Sequence, residues 1–183
     1  MQTSDPDIYA VGDCVECTSL VTGRKVRAPY GDLANLQGRV AGKNLVRPGS
    51  ARFPGITQTG ICKIFDYTVG VTGISAKQAQ ELGWPGIETA TISGLNIPVF
   101  MGGKLLISKL VADRETGRIL GFQCIGPGDV SKRVATVAMA IHCKISLRGY
   151  EGAAILNAHG WRNVKVPDPG PRTRHDRGSS GPP

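Results

Sequence analysis

Apolar positions recur along this chain in two spacings, and each spacing predicts its own element. Between Asp32 and Leu45, Leu33, Leu36, Val40 and Leu45 fall along one side of a helix. A second helix is expected after Pro127-Gly128-Asp129, where Val130, Val134, Val137 and Ile141 repeat at helical intervals. Ser75-Ala76-Lys77-Gln78 has the form of a capping box, so a short helix should start at Ala76, run to about Leu82 and close at Gly83. Other stretches are rich in β-branched and aromatic residues instead. Residues 60–72 predict one long strand or two bent ones, and 87–97, 104–112 and 118–126 predict three more. The last two are joined by Asp113-Arg114-Glu115-Thr116-Gly117, which makes them an antiparallel hairpin. Near the start, Asp7-Ile8-Tyr9-Ala10-Val11 reads as a short apolar strand that stops at Gly12-Asp13, followed by a loop turning at Thr22-Gly23. Arg47-Pro48-Gly49-Ser50 reads as a linker. Strands, a hairpin and a covering helix imply an α+β arrangement, an antiparallel sheet with helices on one face.

Charge changes this picture little. The chain of 183 residues carries 22 Lys plus Arg against 14 Asp plus Glu, a net +8, and half of the excess lies from Cys143 onward. From Pro167 the composition is Pro, Gly, Ser and Arg without apolar periodicity, which predicts a disordered tail over 167–183. A basic tail of this kind permits nucleic-acid binding, but it is the weakest of the functional readings. Five cysteines, an odd number, without a secretory leader point to free thiols in a reducing compartment, the cytoplasm. No stretch approaches the roughly 18 apolar residues that span a bilayer. Cys14 and Cys17 form Cys-x2-Cys, but no second pair at ligand spacing completes a metal site, and they read as incidental thiols. His142 and His159 sit at capping positions and His175 in the tail, so none is assigned as an acid or base. Tyr67 and Trp84 read as core or interface residues.

Three segments then point to a family. Thr3-Ser4-Asp5-Pro6-Asp7-Ile8-Tyr9-Ala10-Val11-Gly12-Asp13 resembles the segment that ends the FAD-binding domain of pyridine nucleotide-disulfide oxidoreductases. The resemblance implies that Gly12 lets the backbone approach the cofactor and that the Asp13 carboxylate accepts hydrogen bonds from ribityl hydroxyls. Ala28-Pro29-Tyr30-Gly31-Asp32-Leu33-Ala34-Asn35-Leu36-Gln37-Gly38-Arg39 resembles the same family's second flavin-contacting stretch, with backbone contacts at Pro29, Tyr30 and Gly31. There the free amides and dipole of a helix start would favour negative charge at N1 and O2 of reduced flavin. Tyr30 and Asp32 depart from the smaller residues of that pattern. Ile64-Phe65-Asp66-Tyr67-Thr68-Val69-Gly70-Val71-Thr72-Gly73, the helix with Gln78 and Ile119-Leu120-Gly121-Phe122-Gln123 resemble the dimerisation domain of the class III branch, which includes coenzyme A disulfide reductases and NADH oxidases.

A second resemblance begins at Cys143. Cys143-Lys144-Ile145-Ser146-Leu147-Arg148-Gly149-Tyr150-Glu151, continuing to Val164, is similar to the active-site loop and following helix of a rhodanese. It implies a sulfur-carrying thiolate at Cys143 supported by loop amides and Arg148. The expected organisation is therefore the end of an α/β FAD-binding domain over 1–47, a C-terminally truncated dimerisation domain over 51–142, a partial rhodanese-like segment over 143–166, and the tail. The resemblance implies a fragment of an FAD enzyme that moves electrons from NAD(P)H through FAD to a disulfide, a persulfide or polysulfide, or dioxygen. It also implies a homodimer formed through residues 51–142. The sequence has no Gly-x-Gly-x-x-Gly fingerprint for the nicotinamide cofactor, so turnover by these residues alone is not expected. The alternative reading is a noncatalytic dimerisation module without bound FAD.

Overall fold

The computed structural model describes residues 1–147 and Gly149. Its centre is a five-stranded antiparallel sheet in the order β3-β4-β7-β6-β5. The strands are β3 (Gly60–Ile64), β4 (Tyr67–Gly73), β5 (Ile87–Leu95), β6 (Leu105–Asp113) and β7 (Ile119–Pro127). Strands β1 (Glu16–Thr18) and β2 (Lys25–Arg27) form a separate small hairpin, and the helices are α1 (Gly31–Val46), α2 (Ala76–Glu81) and α3 (Ser131–His142). This is the expected α+β layer arrangement.

The sheet is covered on one side by α3, whose Val134, Val137 and Ile141, with Val130 just ahead of it, are all buried. They meet Leu106 and Leu110 of β6 and Phe122 and Cys124 of β7 in one core cluster. Burying four such aliphatic side chains contributes on the order of 1.5–3 kcal/mol each. Close packing of α3 depends on Gly70, because a Cβ there would stand 2.5 Å from Val134 Cγ2. Glycine at this point of β4 is therefore a seat for the helix.

The other side of the sheet carries apolar side chains that nothing among the described residues covers. Ile107 and Ile125 are register partners on β6 and β7, and both are exposed. Leu95 and Leu105, and Ile64 and Tyr67, repeat the pattern on the neighbouring pairs. Between Ile64 and Tyr67 the chain reverses through Phe65-Asp66, so residues 60–73 are two strands of a hairpin. Phe65 holds φ +53° and is 91% exposed, an uncommon conformation for a bulky side chain.

Caps fix the ends of α2 and α3. Both bonds of the expected capping box form, Gln78 N to Ser75 Oγ at 3.1 Å and Ser75 N to Gln78 Oε1 at 2.9 Å. Gly83, at φ +71°, ends α2. Helix α3 ends in a Schellman motif with Lys144 in the left-handed conformation, its amide donating to Ile141 O and that of Ile145 to Ala140 O. The motif turns the chain back onto the β6–β7 hairpin, where the Ile119 amide donates to Ile145 O and the Leu147 amide to Gly117 O. Leu147 is buried in the sheet core. The boundary expected between 142 and 143 thus falls inside a cap, and residues 143–147 pack with the dimerisation sheet.

The hairpin turn between β6 and β7 is organised by Asp113. Its Oδ2 accepts from Trp84 Nε1 at 2.6 Å, and its Oδ1 accepts from the Thr116 amide at 2.7 Å, the Thr116 hydroxyl at 2.8 Å and the Glu115 amide at 3.1 Å. Burial opposes ionisation of this carboxyl, but the bonds from Thr116, Trp84 and Glu115 outweigh it and hold its pKa below the ordinary carboxylate range. Next to this turn, Arg118 Nη2 donates to Leu20 O at 2.7 Å, which ties the N-terminal segment to the sheet.

Two expectations for the N-terminal region are corrected. Residues 7–11 form no strand: Tyr9 makes a single isolated bridge to Gln2, and Ile8 and Val11 are exposed. A strand needs a ladder, and among the described residues Gln2 is the only bridge partner offered to this one. On α1, the buried positions are Leu33, Gln37, Ala41 and Asn44, whereas Leu36 and Leu45 are 50% and 65% exposed. Two amides replace the expected leucines on the inner face because each has backbone partners there. Asn44 bonds both the carbonyl and the amide of Ala51.

Candidate flavin-edge site

Helix α1 brings together the two N-terminal segments singled out from sequence. Gly12–Cys14 form one 3-10 turn, and Gly12 takes φ +82°, a conformation that costs glycine little and other residues more. A Cβ built on Gly12 would lie 3.5 Å from Ala34 Cβ, so the turn rests on the first turns of α1. Across this contact the Gly12 amide donates to Gln37 Oε1 at 2.7 Å. Gln37 is fully buried, and its Nε2 donates to Cys17 Sγ at 3.0 Å.

Asp13 follows in the same turn and is exposed, and Asp5, Asp7 and Asp13 give the N-terminal loop three carboxylates. Tyr30 is the N-cap residue of α1 and contributes no side-chain cap. The first amides of the helix, starting at Gly31, are left without intrahelical partners, at the positive end of the helix dipole. Pro29, Tyr30 and Gly31 are all exposed. The Tyr30 hydroxyl reaches across to Gly60 at the start of β3, where an added Cβ would be 3.8 Å away. Its ring therefore stands between the helix start and the sheet.

From Tyr30 and Asp32 at the start of α1, a groove of about 430 Å³ runs between Leu33, Leu36 and Val40 and the segment Phe53-Pro54-Gly55-Ile56, with His142 also lining it. Three residues of the expected apolar stripe of α1, Leu33, Leu36 and Val40, line this groove. Leu36 is exposed along it, while Leu33 is buried with Gln37 and Asn44 on the inner face. The spacing of Gln37 and Asn44, seven residues or two helical turns, was the available signal for a buried polar face.

The two rhodanese-like residues fall differently. Cys143 is the C-cap of α3 and exposed, with Sγ 3.9 Å from Met139 Sδ. The amides of Lys144, Ile145 and Leu147 bond carbonyls of α3 and the hairpin turn, not the thiol. Arg148 lies outside the described residues, as do 150–183 with the expected tail. Of the Cys-x2-Cys pair, Cys17 is buried in a small cluster with Ala28, Leu33 and Ile56, and Cys14 is exposed.

An antiparallel five-stranded sheet with one helical cover and one bare apolar face defines a dimerisation module, here preceded by a glycine turn docked on a helix start. Residues 59–156 match the model of the pyridine nucleotide-disulphide oxidoreductase dimerisation domain, and the chain belongs to that family. The match continues through 142–143. The chain is 36% identical over 146 residues to an NADH oxidase of Methanocaldococcus jannaschii, an alignment covering 80% of this chain and 32% of the relative. Among solved structures, the NAD-dependent persulfide reductase from A. fulgidus superposes with a TM-score of 0.77 at 39% identity, covering 81% of this chain and 27% of that one. An FAD-dependent pyridine nucleotide-disulphide oxidoreductase from Desulfovibrio vulgaris superposes with a TM-score of 0.71 at 33% identity, covering 85% and 37%. The chain thus spans about a third of the curated relatives it matches. No helix among the described residues is long and apolar enough to cross a membrane.

Proposed function

We propose that this chain supplies one edge of an FAD site and the dimer surface of an oxidoreductase that passes electrons from NAD(P)H through FAD to a disulfide, a persulfide or polysulfide, or dioxygen. The observation that carries the reading is the docking of the Gly12–Asp13 turn on the start of α1 through Gln37. The donor set fits a flavin edge. Asp13 offers exposed acceptor oxygens for ribityl hydroxyls, the amides from Gly31 onward offer donors for N1 and O2, and Gly12 has no side chain to obstruct close approach. When bound, FAD supplies the hydride and electron chemistry, and these residues bind and orient it. The relatives named above act as an NADH oxidase and a persulfide reductase, which supports the family reaction without choosing the acceptor. The uncovered sheet face around Ile107 and Ile125 supports a homodimer through residues 51–142.

The test is FAD uptake by the purified 183-residue chain, followed by visible absorbance after gel filtration and by titration of tryptophan fluorescence. Bound flavin is expected, weakened by Asp13→Ala. A colourless chain that takes up no added FAD would overturn the reading. It would leave the second one, a noncatalytic dimerisation module. That alternative is favoured by one observation, the lack of a sheet partner for residues 7–11 other than Gln2.

A further inference from the structure

We infer that Gln37 is the positioning residue of the flavin edge, holding the Gly12–Asp13 turn in place through its side-chain amide; the inference rests on the flavin reading above. Three observations carry it. Gln37 is fully buried, so its amide must find protein partners or lose much of its hydrogen bonding. It finds two, and they lie on different elements: the Gly12 amide of the turn at 2.7 Å and Cys17 Sγ of β1 at 3.0 Å. The Gly12 amide in turn has an acceptor 25 residues away, on a helix, instead of one within its own loop.

The two bonds also fix the direction of the amide. The Gly12 group is a donor, so it demands Oε1, and the thiol sulfur then receives Nε2. A flip would set donor against donor at Gly12. Cys17, itself 3% exposed and packed with Leu33 and Ile56, therefore acts as the rear anchor of the arrangement. Gln37 touches neither the reacting atoms nor the ribityl chain in this assignment. It acts through the backbone of Gly12, and Asp13 follows because it is the next residue of the same 3-10 turn. Since Tyr9 and its neighbours lack a ladder, the turn has little else to hold it from the N-terminal side.

The test uses the full chain with Gln37→Met, close in size but unable to accept from Gly12, together with Cys17→Ala, Asp13→Ala and the double variant Gln37→Met/Asp13→Ala. Residue-resolved hydrogen exchange without cofactor should show the Gly12 amide exchanging at least tenfold faster in Gln37→Met, with amides of β4, β6 and β7 unchanged. Cys17→Ala should raise the same rate by a smaller factor, and it decides the point if Gln37→Met fails to fold. Fluorescence titration should show the FAD dissociation constant rising about tenfold in Gln37→Met, equivalent to about 1.4 kcal/mol. The double variant should lose less than the sum of the two single losses, since part of the effect of Gln37 passes through Asp13 and is gone once that carboxylate is removed. Unchanged exchange at Gly12 in the folded variants, or additive losses in the double variant, would overturn the inference. A wild-type chain that binds no FAD refutes the proposed function instead, and the exchange comparison then decides the clamp alone.

Discussion

Replacing Asp113 by Asn keeps the shape of the side chain and removes one of its two acceptor oxygens. The wild-type carboxylate receives four bonds, three on Oδ1 from the Glu115–Thr116 turn and one on Oδ2 from Trp84 at 2.6 Å. An asparagine that keeps its oxygen toward the turn must present its NH2 group to the Trp84 N–H, donor to donor. Turned the other way, it presents NH2 to two backbone amides. The first arrangement is less costly, leaving one part-buried indole donor without a partner, a loss of about 1–3 kcal/mol. For a chain of this size, a destabilisation of about 2 kcal/mol lowers the melting temperature by roughly 4–8 °C. The pH dependence gives the sharper check. Asp113 is held below its unfolded pKa, so its contribution is fully present above pH ~4. It is lost as pH falls through the lower folded value. Urea unfolding at a series of pH values should therefore show the gap between wild type and Asp113→Asn narrowing below pH ~4. An equal gap at pH 7 and pH 3 would refute the role given to the charge.

Two further outcomes follow from the sheet. Gly73→Ala should be severe, about 3 kcal/mol or more, because Gly73 has φ +72° and a Cβ there would lie 2.1 Å from the carbonyl oxygen of Leu120; denaturant titration measures it, and a loss under 1 kcal/mol would contradict the packing described. Ile125→Glu places a charge on the bare face beside Ile107, so light scattering should report monomers while circular dichroism stays native; persistent dimers would place the interface elsewhere.

Much of the sheet was legible because its signals are local. The capping box at Ser75, the five-residue connection beginning at Asp113 and the valine repeat of α3 each declare an element within a few residues. Two features escaped because they are not local. Whether Asp7–Val11 forms a strand depends on a partner elsewhere, and the apolar run itself says nothing about that partner. On α1, hydrophobicity pointed to Leu36 and Leu45, but the inner face went to Gln37 and Asn44, whose burial is made possible by backbone groups at Gly12 and Ala51. Gly12 and Asp13 could be named from their resemblance to a family, while Gln37 could not. Its role appears only once the turn and the helix are seen side by side. The rhodanese likeness at Cys143 failed to foresee the cap at Lys144, because a non-glycine residue in the left-handed conformation has no reliable signature in sequence.

The bond from Arg118 to the Leu20 carbonyl spans 98 residues, and that separation bears on the order in which the molecule assembles. The β6–β7 hairpin closes over a five-residue turn, at small entropic cost, and can form early. The N-terminal lobe gains this tether only after that turn exists to present Arg118, and closing so long a loop is slow. This tether of the N-terminal segment is thus among the long-range contacts whose closure follows the hairpin, whereas the Gly12–Gln37 bond of the candidate cofactor edge spans only 25 residues.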